Sequence, residues 1–159
     1  MKTKPALPTI RRTLAARSRI ALIRADFNAD ITTSLQQACV TALQAAGVPA
    51  ARIDRFTVPG CFEIPLMAQR LALKRKYDVI IALGAVIRGD TFHFELVATE
   101  CARGVMDVSL RHNVPIVFEV LAVHHRRDAV RRAGPNRLNK GLEAAAAALA
   151  LLTQLDSLS

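Results

Sequence analysis

The segment Tyr77-Asp-Val-Ile-Ile-Ala-Leu-Gly-Ala-Val-Ile-Arg-Gly-Asp-Thr-Phe-His93 joins a predicted buried strand to a turn and a helix. Residues 77–83 are almost continuously apolar, which is typical of a parallel strand covered on both faces. Gly84 and Gly89 are predicted to bracket the turn that follows. Apolar residues then recur at helical spacing from Phe94 onward. The segment therefore predicts a strand, a turn and a helix in succession.

The predicted turn contains residue types that suit an anion-binding site. Asp90 and Thr91 occupy the expected N-cap positions, where backbone amides can face a negative charge. His93 follows in the first helical turn, at the carboxyl end of a strand, where open α/β sheets bind their ligands. A purely structural interpretation is equally open from this segment alone. In that interpretation Asp90 and Thr91 only cap the helix, His93 lies at the surface and Arg88 ends the strand in solvent.

The same alternation of strand and helix recurs along the chain. The predicted strands are residues 19–25, 53–58, 77–83 and 114–121. The predicted helices run to about residue 46, from 63 to about 76, onward from 93, from 128 to 133 and from about 138 to 155. This order predicts an α/β protein with a parallel sheet and helices on both faces. Side chains that follow the strands are expected to meet at one edge of the sheet.

Basic residues are concentrated near the beginning of the chain. The protein has 159 residues and a formal net charge of +9, and residues 1–19 hold six basic residues and no acidic one. Residues 1–18 are therefore predicted to be a basic tail that precedes a single domain, residues 19–159. Such a tail could bind nucleic-acid phosphates. A solvated arm, or one that docks on a neighbouring subunit, is favoured, and with 4% aromatic residues and no Trp the body offers no stacking platform for nucleic acid.

Several classes of function have no support in the sequence. No charge-free apolar run reaches the length of about 18 residues that a membrane span needs. Neither a GxGxxG nor a GxxxxGK[ST] motif is present, so dinucleotide or NTP binding is not predicted. Three widely spaced cysteines without a CxxC motif indicate reduced thiols in a cytoplasmic protein. The pair His124-His125 has no acidic or cysteine partner at ligand spacing, so no metal site is predicted.

Five motifs in the observed order resemble those of the lumazine synthase family of riboflavin biosynthesis. They are Phe27-Asn28, Val58-Pro-Gly-Cys-Phe-Glu-Ile-Pro65, Gly84-Ala-Val-Ile-Arg-Gly89 with His93, Arg132-Ala-Gly134 and Asn139-Lys-Gly-Leu-Glu143. The resemblance covers about residues 19–155. It implies a three-layer α/β/α sandwich with a four-stranded parallel sheet in flavodoxin-like order. It also implies a transferase that condenses 5-amino-6-ribitylaminouracil with 3,4-dihydroxy-2-butanone 4-phosphate to give 6,7-dimethyl-8-ribityllumazine and phosphate, without cofactor or metal.

The resemblance further implies roles for individual residues. His93 is expected to be catalytic, because a histidine can both donate and accept protons near neutral pH. The residues expected to bind the pyrimidine ring and the ribityl chain are Phe27, Asn28, Cys61, Phe62, Glu63, Ile87 and Phe118. Those expected to bind the phosphate are Gly89, Asp90, Thr91 and Arg132. The supporting residues are Arg88, Lys140, which would add positive charge near the phosphate, and Glu143, which would orient His93.

The resemblance implies a homo-oligomer built on pentamers, with each site shared between adjacent subunits. Phe118 and Arg132 would then come from the neighbouring subunit, and riboflavin synthase would be a further partner. His124-His125 is similar to a subset of the family that favours decamers. Asp26, directly before Phe27, stands where many relatives of the family carry a basic residue.

Two alternative functions remain: a catalytically weak relative that binds lumazine or flavin, and a scaffold whose basic tail binds nucleic acid.

Overall fold

The computed structural model describes residues 6–159, which form a four-stranded parallel sheet between two layers of helices. The strands are β1 (Ile20–Ala25), β2 (Ile53–Val58), β3 (Val79–Ile87) and β4 (Ile116–Val123), in the order β2-β1-β3-β4. The helices are α1 (Arg12–Arg17), α2 (Ala29–Ala45), α3 (Ile64–Leu73), α4 (His93–His112), α5 (Arg126–Ala133) and α6 (Lys140–Asp156). This architecture confirms the predicted α/β/α sandwich and its flavodoxin-like strand order.

The two faces of the sheet have separate cores, because successive side chains of a strand point to opposite faces. Ile20 and Leu22 of β1 pack with α2 and α6, whereas Ala21 and Ile23 pack with α3 and α4. The beginning of α4 and the beginning of α6 therefore lie on opposite faces of the sheet. Within residues 6–159, none of the helices is both long and apolar enough to cross a membrane.

The structure corrects the predicted turn at Gly84. β3 continues through Gly84 to Ile87, because β4 pairs with it as far as the partners Ile87 and Val123. A glycine is needed within the strand, since a Cβ at residue 84 would lie 2.5 Å from the sulfur of Cys61. The last residues of β3, up to Ile87, therefore lie at the edge of the sheet where the ligand site is predicted.

The start of α4 also differs from the prediction. Phe92 occupies the N-cap position and His93 is the first helical residue, so the prediction that Asp90 and Thr91 cap the helix is wrong. Thr91 still contacts the helix start, because its hydroxyl oxygen accepts a long hydrogen bond of 3.4 Å from the His93 amide. Because β3 extends to Ile87, the turn is limited to residues 88–92. His93 lies in the first helical turn, as predicted.

Part of the predicted tail is a helix that packs on the domain. Leu14 of α1 is buried. Arg11, which precedes α1, and Arg17, which ends it, both form ion pairs with Asp156 of α6. A helix of six residues leaves too little periodicity to be detected in sequence. Residues 1–5 of the predicted tail lie outside the described residues.

Other element boundaries shift by a few residues. β4 begins and ends two residues later than predicted, α5 begins at Arg126, and α6 begins at Lys140. α3 ends at Leu73, because Arg75 has a positive φ of 49° that is incompatible with a continuing helix. The predicted helix stop at Gly47 is confirmed, with a φ of 101° that favours glycine.

Gly141 of α6 is expected to be essential for the packing of α6 on α2. A Cβ at residue 141 would overlap the backbone carbonyl of Leu35, which no side-chain rotation can relieve. We expect Gly141→Ala to lower the free energy of unfolding by about 1–3 kcal/mol, measured by urea denaturation. Gly89→Ala is the matched control, because nothing lies within 4 Å of a Cβ there. Equal stability of the two variants would contradict this close approach.

Candidate active site

A cavity of about 410 Å³ opens at the carboxyl ends of β1, β2 and β3. Nine of the predicted site residues line it: Phe27, Asn28, Cys61, Phe62, Glu63, Ile87, Gly89, Thr91 and His93. The other lining residues are Gly60, Ala85, Val86, Phe94 and Val97. The parallel register thus gathers three junctions that are far apart in the chain around one mostly apolar space.

The β1–α2 junction presents Phe27 at the mouth of the cavity. The amide of Asp26 donates to the carbonyl of Val58 over 2.8 Å, and the amide of Phe27 donates to that of Pro59 over 2.9 Å. These bonds extend the pairing of β1 with β2 and hold the backbone of Phe27, while its side chain remains 73% exposed. The side chain of Asp26 pairs with Arg24 at 2.8 Å. Phe27 is therefore an aromatic ring on a fixed backbone, suited to stack on a flat ring.

The junction after β2 forms another wall of the cavity through a short 3-10 helix, Cys61–Glu63. The amide of Gly60 donates to Oε2 of Glu63 over 2.9 Å, which fixes that carboxylate and leaves acceptor capacity for a ligand. Burial raises the pKa of the Cys61 thiol to about 11. A thiol that stays protonated at neutral pH is a poor nucleophile, so Cys61 shapes the wall of the cavity.

The β3–α4 turn brings His93, Gly89 and Thr91 to the cavity. The first amides of α4 have no partner within the helix, so this helix start favours an anion. Arg88 lies on the same turn, where its amide donates to the carbonyl of Val123 over 2.9 Å and its guanidinium is 3.9 Å from Oε1 of Glu95.

A sequence model described as 6,7-dimethyl-8-ribityllumazine synthase matches residues 17–156. The chain belongs to this family. The match spans all four strands and every junction that lines the cavity. The protein is therefore a transferase of riboflavin biosynthesis, and the resemblance seen in the sequence motifs is confirmed. Within residues 6–159, the structure forms no group of three His, Cys, Asp or Glu side chains that could hold a metal ion.

Some of the residues that the lumazine synthase resemblance singled out lie outside this cavity. Asp90 is exposed on the turn and does not line it. Phe118 lies on β4 in a separate, smaller groove with Met106 of α4. Arg132 is in the last turn of α5, where its Nη1 donates to the carbonyl of Asp128 over 3.0 Å. One chain therefore does not bring the whole predicted set together.

Lys140 and Glu143 are also remote from the cavity within one chain. They form an ion pair in the first turn of α6, on the face of the sheet opposite α4. The expected contact in which Glu143 orients His93 is therefore not made within a single chain, because the sheet separates the two helices.

Five residues that line the cavity of this lumazine synthase family member were not predicted as site residues: Gly60, Ala85 and Val86, which lie in the recognised motifs, and Phe94 and Val97, which do not. Phe94 and Val97 belong to the apolar pattern from which only the helix α4 itself was predicted. Both are half-buried and line the cavity, and the Phe94 ring lies edge-on to His124 with centroids 6.2 Å apart. Their position in the first turns of α4, beside His93, is the signal that could have identified them.

Glu119 is a partly buried acid on β4 that no sequence motif indicated. It faces the layer of α2 and α6, where the charged groups near it are Lys140 and Glu143. Burial, reinforced by Glu143 and opposed by Lys140, raises the pKa of Glu119 from its ordinary 4.5 to about 7. The folded protein therefore holds a proton on this carboxyl at a pH where the unfolded chain has released it.

Glu119 is expected to make stability fall as pH rises toward neutrality. Its raised pKa stabilises the folded state fully below about pH 4.5, and this contribution is lost as pH approaches 7. Relative to Glu119→Gln, the wild-type free energy of unfolding should decrease by about 1–3 kcal/mol over that interval, measured by urea denaturation. The control is Glu100→Gln, because Arg103 lowers the pKa of exposed Glu100 below this interval. Parallel pH profiles for wild type and Glu119→Gln would contradict the raised pKa.

Proposed function

We propose that the protein condenses 5-amino-6-ribitylaminouracil with 3,4-dihydroxy-2-butanone 4-phosphate, the penultimate step of riboflavin biosynthesis. The products are 6,7-dimethyl-8-ribityllumazine and inorganic phosphate. The main support is the single cavity lined by Phe27, Glu63 and His93 from three separate strand ends. Its volume of about 410 Å³ suits a small-molecule site.

The lining of the cavity suits the pyrimidine substrate. Phe27 stacks on the heterocycle, and the side chains of Phe62 and Ile87 complete an apolar slot. The ribityl hydroxyls donate to Glu63, whose carboxylate is already held by the Gly60 amide. The ring is thus bound by stacking and apolar contact, and the polyol is bound by hydrogen bonds.

The other end of the cavity suits the phosphate and the proton transfers. Amides around Gly89 and Thr91 face the anion at the start of α4. One substrate amine attacks the ketone with loss of water to give an imine, phosphate is then eliminated, and the second amine closes the ring with loss of water. Each step moves a proton, and His93 at this end of the cavity donates and accepts it.

We further propose that each site is completed by an adjacent subunit in a pentamer or a decamer. Phe118, Arg132 and Glu143 are remote from their own cavity and lie on elements at the β4 side of the sheet. Large apolar side chains remain exposed on α3, α4 and β4: Leu66, Leu73, Met106, Leu110 and Phe118. An apolar surface of this kind supports an interface with a second copy.

The turnover assay that tests this function uses both substrates. We expect lumazine and inorganic phosphate to form in equal amounts, and no lumazine to form when the butanone lacks its phosphate. Binding of lumazine or riboflavin without turnover would instead identify a weak relative that only binds.

We place the reaction in the cytoplasm, because all three cysteines are free, buried thiols. Riboflavin synthase, which would consume the product, is the proposed partner.

Arg132 is expected to act on the phosphate of the butanone substrate. Arg132→Ala should raise the KM for that substrate about 10–100-fold, because a charge-assisted, two-pronged contact is lost. The KM for the pyrimidine should change little, and Arg132→Lys should recover only part of the loss. The control is Arg131→Ala, which removes a charge from an exposed neighbour on the same helix. Equal effects on both substrates would rule out the phosphate as its ligand.

A further inference from the structure

A hydrogen-bonded link joins the wall of the cavity to the first residue of α5. Nδ2 of Asn28 donates to the carbonyl of Ala85 over 3.0 Å, and Oδ1 of Asn28 accepts from Nη1 of Arg126 over 3.4 Å. The other terminal nitrogen of Arg126 pairs with Asp30. Asn28 and Arg126 are 98 residues apart in the chain, so only the fold brings them together.

The two contacts of Asn28 require the same orientation of its side-chain amide. A carbonyl such as that of Ala85 can only accept, and a guanidinium can only donate, so the amide NH₂ must face Ala85 and its oxygen must face Arg126. The backbone is held as well, since Asn28 has a left-handed conformation with φ 61° and its carbonyl accepts from Ile31 and Thr32. One amide N–H and one lone pair remain for a ligand in the cavity.

The contact between Arg126 and Asp30 contributes little to stability. The two side chains are 52% and 61% exposed, and ion pairs this exposed are weak. Asp30 nevertheless anchors the guanidinium, and Arg126 in turn holds the pKa of the Asp30 carboxyl below its ordinary value. The main consequence of this contact is therefore the orientation of Asn28.

We propose that Arg126 is a positioning residue: held by Asp30, it keeps the side-chain amide of Asn28 aimed at the ligand of the cavity. The identity of that ligand, the pyrimidine with its ribityl chain, rests on the proposed function. Without Arg126 the amide loses one of the two contacts that orient it. Ligand binding must then restrict a rotation that the wild-type protein has already restricted.

The kinetic test compares Arg126→Ala with Arg127→Ala. Arg127 is the exposed next residue of α5 and makes no ion pair or side-chain hydrogen bond within residues 6–159, so its loss matches the change in charge. We expect Arg126→Ala to raise the KM for the pyrimidine about 3–10-fold, as for one modest hydrogen bond. The kcat and the KM for the butanone phosphate should stay within about 2-fold, and Arg127→Ala should change none of these values.

A double-mutant cycle separates positioning from a general effect on the fold. In an Asn28→Ala background, Arg126→Ala should produce no further rise in the pyrimidine KM, because the group it orients is absent. Asp30→Asn should reproduce part of the effect of Arg126→Ala, and melting temperatures should shift by less than about 4 °C. An undiminished effect of Arg126→Ala in the Asn28→Ala background would overturn the proposal.

Crystal structures of the two arginine variants provide a readout that needs no activity. We expect the Asn28 amide to leave Ala85 or to occupy more than one orientation in Arg126→Ala, and to keep its position in Arg127→Ala. An unchanged amide in both variants would overturn the positioning role. A wild-type protein that makes no lumazine would refute the proposed function alone, because the structural comparison would still decide the role of Arg126.

Discussion

Replacement of His93 by alanine is expected to lower kcat by about 10²-fold or less while both substrates still bind. Proton transfer by a positioned side chain typically contributes about 10²–10⁴-fold, and the positioning supplied by the rest of the cavity survives. His93 is exposed in the first turn of α4 and makes no side-chain hydrogen bond within the described chain, so its loss removes a chemical group and little packing. The measurement is kcat at saturation with both substrates.

The matched control for His93→Ala is His125→Ala. His125 is also an exposed histidine beside a helix start, at the N-cap of α5, and its side chain forms no capping hydrogen bond. We expect His125→Ala to retain wild-type kcat, and both variants to assemble like the wild type by native mass. An unchanged kcat for a correctly assembled His93→Ala variant would show that His93 does not transfer protons in the reaction.

Mixed assemblies of His93→Ala and Arg132→Ala subunits are expected to be more active than either pure variant. If His93 and Arg132 of one site come from adjacent subunits, each pure variant has a defect in every site. After dissociation and reassembly together in equal amounts, about one quarter of the head-to-tail interfaces should pair an intact His93 with an intact Arg132. Assayed at a butanone phosphate concentration well below the KM of Arg132→Ala, activity should then rise to about a quarter of the wild-type value, above that of either parent.

The mixing experiment needs proof that subunits exchange. Native mass spectrometry of isotopically labelled and unlabelled subunits supplies it, and reassembly of each variant alone gives the baseline. If exchange is complete and activity stays at that baseline, both residues act within one chain. The shared-site proposal would then be wrong. A separate expectation of the same proposal is that the isolated monomer is inactive.

Local chemistry explains which elements were predictable. β2 was predicted with its observed bounds, since Pro59-Gly60 directly after it are turn residues. β3 was predicted too short, because its extension to Ile87 depends on pairing with β4, which lies more than thirty residues away in the chain. Short-range patterns report backbone preference and burial, but the length of a strand also depends on its partner.

The features of the candidate site also differ in whether a local sequence pattern predicts them. Motifs around Phe27, Glu63 and His93 were recognisable because turn residues at strand ends are local signals, and the family match now confirms the resemblance that they carry. The contact between Asn28 and Arg126 and the raised pKa of Glu119 had no local signal. Both arise where α5 or α6 packs near residues from another part of the chain.

Periodicity and turn chemistry were sufficient to predict the alternation of strands and helices, the parallel sheet and the residues that reach its carboxyl edge. The three-dimensional packing was needed to show which of those residues share a cavity. It placed Phe27, Glu63 and His93 together and left Glu143 on the opposite face of the sheet. Strand register and helix layering are set by long-range packing, and this packing brings together side chains that no local pattern relates.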